Sequence, residues 1–246
     1  MNGLNFEPEQ IKDLFAENTR SMQLSLKASS DASASSSLDM IKAMQATIDI
    51  MMRQQSDRKN NSPGVLSTEE LSEIGDYALN LLEQLSIVAA NMGMQDSMIA
   101  LQRLSLPVAY WLIQQGGEIG KLDILVNALS GLANTITENL ELERLSRLIA
   151  QIIAHTSNDI RQDLEQTNPM RPWRIINLNW GIVATRSHNA ELMDNVFEQL
   201  VKNIPVDAKA FFTEGMQQMD IIGYPDHVRK VMEKYSKQWS HQGKVH

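Results

Sequence analysis

The chain has 246 residues, of which 43% are hydrophobic and 21% charged, with 22 basic and 30 acidic side chains and a net charge of −8. That length suits one large domain or two small ones. Having no cysteine, the chain cannot build a disulfide framework, a thiolate nucleophile or a cysteine-ligated metal site.

The charge is uneven. Residues 68–170 carry 5 basic and 14 acidic side chains, residues 171–246 carry 10 and 8, and residues 1–67 carry 7 and 8. An acidic middle of this kind repels nucleic acid and anionic membrane. The start, MNGLNFEPEQIKDLF, has early acids and no apolar core of signal-peptide type. No apolar run approaches the roughly 20 residues that span a bilayer. The expectation is a cytoplasmic protein without a membrane span.

Residues 1–67 read as a flexible arm. Residues 8–27 suit a helix with Ile11, Leu14, Phe15 and Met22 on one side. The stretch ASSDASASSS is too polar to build a core. In a second helix, Leu38, Ile41, Met44, Ile48 and Met51 fall three or four apart, and RQQSDRKNNSPG then reads as a linker ending in a turn. A narrow seam between polar linkers has coiled-coil spacing. These five residues are expected to form an association helix that pairs with another copy of the chain as a homo-oligomer, with docking on the chain's own body or on an outside partner as the alternatives.

The body is expected over residues 68–239. Ser67 with Glu70 fits a capping box. Leu71, Ile74, Ala78, Leu81, Leu82, Leu85, Val88 and Met92 then recur at helical spacing until Gly93 stops the helix. Further helices are predicted at about 96–115, 118–136 and 139–165, with Pro107 as a kink and Gly116-Gly117 as a turn. NPMRP at 168–172 is a firm break. Four shorter helices follow at about 172–186, 190–203, 207–221 and 225–239. Asn189 and Asp207 suit N-caps, and Pro225 a first turn. Residues 240–246 read as a disordered tail. No period-2 alternation is sustained, so the fold class is all-α: stacked antiparallel helix pairs, as a solenoid or an irregular bundle.

Residues 177–239 loosely resemble tetratricopeptide repeats, which are helix pairs of 34 residues. Trp180-Gly181 falls where that family carries its Leu-Gly pair, Phe197 at its late aromatic and Pro205 at its closing proline. One repeat further on, Gly215 lies under Gly181 and Phe211 at the opening tryptophan. Asn177 departs from the pattern, standing where that tryptophan belongs. Met193 and His227 occupy the alanine position, and Val231 replaces the aromatic. Outside residues 177–239 no register is found. The resemblance implies helix pairs that cross closely at Gly181 and Gly215 and a surface for a protein partner.

Linear signs of catalysis are few. QQGGEIGKLD mimics a phosphate loop, but three residues rather than four separate Gly116 from Gly120, and Leu122 follows Lys121. His155 with Asp159, and His188 with Glu191, are spaced about one helical turn apart, yet a metal needs three or four converging ligands. No Glu-x-x-His pair of di-iron type or G-x-S-x-G elbow occurs. No cofactor and no metal are expected. The most unusual composition is RPWRIINLNW. Arg171, Trp173, Arg174, Trp180 and Arg186 combine forked hydrogen bonding with aromatic area, as binding anchors do, and are the expected partner-binding residues. The basic run HVRKVMEKYSKQW is too short to argue for nucleic acid. The functional expectation is a non-enzymatic adaptor for a protein partner, with an all-α enzyme or small-molecule binder, its pocket between helices, as the alternative.

Overall fold

A computed structural model describes residues 7–29, 32–60 and 64–241. These form eleven α-helices; the only pairing of β type among them is an isolated parallel bridge between Ile119 and Thr156. The chain is all-α. It divides into two compact units. The first runs to Ala128 and includes His155–Ser157; the second comprises Leu129–Ala154 and the chain from Asn158.

The first unit is built on α1 (Pro8–Ala28), α2 (Ala32–Lys59), α3 (Thr68–Asn91) and α4 (Gln95–Gln115). Their ends are written in the sequence. Glu7 with Gln10, and Ser67 with Glu70, form capping boxes. Gly116, at φ 85, closes α4 in the left-handed conformation that glycine adopts freely. α1 packs on α2, α2 on α3, α3 on α4, and α4 back on α1. Neighbours run in opposite directions. Glu7, at the head of α1, accepts from Gln55 and from Lys59 (3.2 Å) at the tail of α2. The Glu118 N–H, just past α4, donates to Ser72 Oγ in the first turn of α3 (2.8 Å). The result is an up-and-down four-helix bundle.

This arrangement corrects the reading of residues 1–67 as a flexible arm. Residues 32–37 of the serine-rich stretch lie within α2, and the polar stretch after Met52 stays helical to Lys59. Parts of both expected linkers, residues 30–31 and 61–63, lie outside the described residues. Ala34, Ser37, Ile41, Met44, Ile48 and Met51 are all buried, and Leu38 is half-buried. The 3–4 seam therefore begins at Ala34, one turn before Leu38, with the small residues Ala34 and Ser37 at its start. Because its own bundle covers the seam, it offers no surface for self-association.

Two later helices are shorter than expected. Ile119 N–H donates to His155 O (2.8 Å) and Ser157 N–H to Ile119 O (2.9 Å). These bonds hold both strands of chain extended. α5 (Asp123–Thr135) therefore starts late, and α6 (Asn139–Ala154) stops early, before the single turn of α7 (Asn158–Arg161).

The second unit contains the end of α5, then α6 and α7, and α8 (Pro172–Arg186), α9 (Ala190–Asn203), α10 (Pro205–Ile222) and α11 (Asp226–His241). α8 packs on α6 and α9, α10 on α11 and α9, and α9 on α11. Asn189 caps α9 through Leu192 N–H (3.0 Å). Asp207 does not cap α10. Pro205 takes the first helical position, where its missing N–H does no harm, so Ile204 becomes the N-cap. α11 runs through Ser240 to His241, into the expected tail; residues 242–246 lie outside the described residues. The buried stripe of α11 is Val228, Met232 and Tyr235, so the register slips by one and leaves His227 exposed.

The two glycines lie at close approaches of unequal stiffness. A Cβ at Gly181 would lie 2.5 Å from Phe211 Cζ and 2.9 Å from Leu200 Cδ1; one at Gly215 would meet only the Met232 thioether, at 2.7–2.8 Å. Phe211 also stacks edge-on with Phe197 and Phe212, and both of these rings pack on Tyr235. A ring wedged in such a cluster cannot swing aside as a methionine tip can. Gly181→Ala should cost about 1–3 kcal/mol and Gly215→Ala distinctly less, as read by urea denaturation of both variants. In the bundle, Met44→Asp places a charge in a sealed seam and should cost about 3 kcal/mol or more. Asp at exposed Ala46 should change stability by no more than about 0.5 kcal/mol.

Candidate functional site

The expected anchors are not displayed. Trp173 and Trp180 are buried, with their indole N–H groups on Asn203 O (3.2 Å) and Ser146 Oγ (2.9 Å). Arg171 is only 4% exposed. Its Nε and Nη2 grip the Asp163 carboxylate (2.5 and 3.0 Å), Nη2 also reaches Asp207 (2.7 Å), and Nη1 donates to the carbonyls of Gln166 and Asn168. These hydrogen bonds, Asp163 foremost, hold Arg171 more firmly protonated than usual. Arg174 donates to Asp207 (2.7 Å) and Pro169 O (3.0 Å). Arg186 donates to Ala133 O and Ile136 O at the end of α5. The guanidinium groups brace the fold, and the tryptophans belong to its core. Asn177, fully buried, bonds Trp173 O and Asn203 instead of supplying an aromatic ring.

Among the described residues, three of the four basic side chains of the run on α11, all but Lys230, are likewise paired. Arg229 meets Asp220 (2.6 Å) and Glu233 (3.1 Å), Lys237 lies 3.6 Å from Glu233, and Lys234 meets Asp194 (2.5 Å). Tyr235 donates to Asp194 O, and burial raises its phenol well above its ordinary range.

The surface left open in the second unit is a groove. α8 and α10 start together at the Arg171–Asp207 contact and run side by side, with Phe211 seated over Gly181. Between them lies a hollow of about 300 Å³ walled by Ile182, Phe211, Gly215, Met219, Ile222 and Met232. A second hollow of about 360 Å³ continues it across Arg186, Ile222 and Tyr224 toward Thr137, Asn139, His188 and Pro225. Ile182 is 45% exposed and Ile222 62% exposed. The first hollow is mostly apolar; Glu214 and Gln218 are exposed along its edge.

The first unit carries a different recess at one end of its bundle. Glu7, Gln55, Arg58, Lys59, Tyr110, Trp111, Gln114 and Gln115 enclose about 340 Å³. Arg58 closes the end of α4 through Gln114 O and Gln115 Oε1, both at 3.2 Å. Trp111 Nε1 and Gln54 Nε2 are buried donors without an acceptor. Carboxylates whose pKa burial raises, Asp76 and Glu83, lie along α3. Asp76 accepts from Gly120 N–H (2.8 Å) and so anchors the turn after α4. Among the described residues no three His, Asp or Glu side chains gather as around a metal, and no helix is long and apolar enough to cross a membrane. His241 and His246 contribute no described side chain.

No family model matches the chain, and neither a curated protein nor a solved structure matches it.

The Arg171 cluster makes a sharp prediction. Truncating it leaves the buried Asp163 carboxylate without its ion-pair partner, so Arg171→Ala should cost about 3–5 kcal/mol. Arg174→Ala, at the half-open edge of the same cluster, should cost less than half as much. Thermal unfolding of the two variants checks the ranking.

Proposed function

We propose that this chain is a non-catalytic binding protein whose second unit holds a segment of a protein partner in the groove between α8 and α10. The observation that carries the reading is that two large apolar side chains, Ile182 and Ile222, stand exposed beside a ready-made hollow instead of closing it. Exposed apolar groups around a concavity mark sites of recognition. The likeness of residues 177–239 to tetratricopeptide repeats supports the same reading, because such helix pairs present a concave face. The acidic charge and the lack of an apolar span are consistent with a cytoplasmic setting. The residues that recognise the partner are then Ile182, Phe211, Met219 and Ile222, not the arginine–tryptophan set.

A second reading comes from the first unit. The recess of about 340 Å³, with Glu7, Gln55, Arg58 and Lys59 in its lining, suits a small polar molecule. One comparison separates the two. Proteins captured from native lysate by the full chain should be lost from Ile222→Asp, whose circular dichroism should be unchanged because the side chain is mostly exposed. Equal capture by both proteins, with a thermal upshift by a small polar compound that Ile222→Asp retains, would favour the recess.

A further inference from the structure

Resting on the groove reading above, we infer that the segment it holds carries a large apolar side chain with a lysine or arginine beside it. The hollow specifies the first part. Ile182, Phe211, Met219, Ile222 and Met232 leave space for an aliphatic or aromatic group but set few polar groups against it. The charge along the edge specifies the second. Arg186 is engaged with Ala133 O and Ile136 O, where the carbonyl end of α5 offsets its charge. Asp220, further along α10, is engaged by Arg229 at 2.6 Å. Glu214 is different: among the described residues its carboxylate has no ion-pair partner, it is exposed, and it shares the groove-facing side of α10 with Phe211, Gln218 and Ile222.

A basic group entering with the apolar one therefore finds an unpaired carboxylate at the lip. An acidic group there brings like charges together, which discriminates against the wrong partner more strongly than the pair favours the right one. Gln218, one turn beyond Glu214, adds an amide that can donate or accept and leaves the sign of the preference to Glu214.

A displayed library of random short peptides, panned against the full-length protein and counter-selected on Ile222→Asp, tests this. The expected enrichment is a Leu, Met or Phe with Lys or Arg close by. Enriched peptides, measured by fluorescence anisotropy, should bind Glu214→Lys at least about fivefold more weakly, the scale of one exposed ion pair. Panning on Glu214→Lys should instead favour Asp or Glu beside the apolar residue. Enrichment of apolar residues without charge bias, and unchanged affinity in Glu214→Lys, would overturn the basic-partner inference while leaving the groove in place. If no peptide separates wild type from Ile222→Asp, the groove reading falls and this inference with it. Self-association of the wild-type protein that Ile222→Asp abolishes would put a second copy in the groove, and would also overturn the inference.

Discussion

The second unit depends on one buried guanidinium. Arg171 sits at the N-cap of α8 and bonds Asp163 before it, Asp207 in the first turn of α10, and two carbonyls of the intervening loop. Burying such a charge is unfavourable unless every donor is met. Here the partners come from two separate stretches, the loop before α8 and the first turn of α10, so satisfying the guanidinium fixes both to the head of α8 at once. The heads of α8 and α10 are pinned together, and the helices then run side by side. The groove is the space that this pinning leaves, with Phe211 over Gly181 setting how closely the two helices approach along their length.

The first unit is held by a different kind of constraint. Its four helices have little polar cross-bracing in their interior; Ile41, Met44, Ile48 and Met51 are buried on α2, as are Ile11, Phe15 and Met22 on α1. The polar contacts gather at one end, where Glu7, Gln55, Lys59 and Arg58 tie helix ends together. Apolar seams fix which faces meet but tolerate small axial shifts, because hydrophobic attraction has no direction. Hydrogen bonds at one end supply the missing axial register. The recess lined by Trp111 lies at that same end.

Most helices were legible because each boundary has a local cause: the Ser67–Glu70 box, Gly116, Asn189 and Pro205 each start or stop a helix by chemistry within a few residues. What was not legible came from partners distant in sequence. Residues 32–37 look like linker by composition, and only the opposing helices show Ala34 and Ser37 to be small residues on a seam. A signal did exist. α3 buries Ala78, Leu81 and Leu85 together with Gly75, Leu79, Leu82 and Ser86, an arc too wide for a single neighbour. A helix with that much apolar surface requires a second partner, and α2 is the one that supplies it. The arginine–tryptophan stretch misled for the same reason: nothing near Arg171 announces that Asp207 will face it. The overlooked hint was Pro205, which claims the start of α10 and frees the Asp207 carboxylate for another role.

The groove follows from a conflict between these local and distant demands. A helix pair closed in the usual way would bury Ile182 and Ile222 against a further helix or under larger neighbours. Phe211 of α10 lies over Gly181 of α8, whereas Gly215 of α10 lies against the Met232 side chain of α11. Neither glycine supplies a side chain that could cover Ile182 or Ile222. Filling the hollow from within would take a larger residue at position 215, whose Cβ would collide with the thioether under it. The close approach of Met232 to α10 is a consequence of the glycine at 215. The apolar edge that remains must stay hydrated or be covered by something outside these helices.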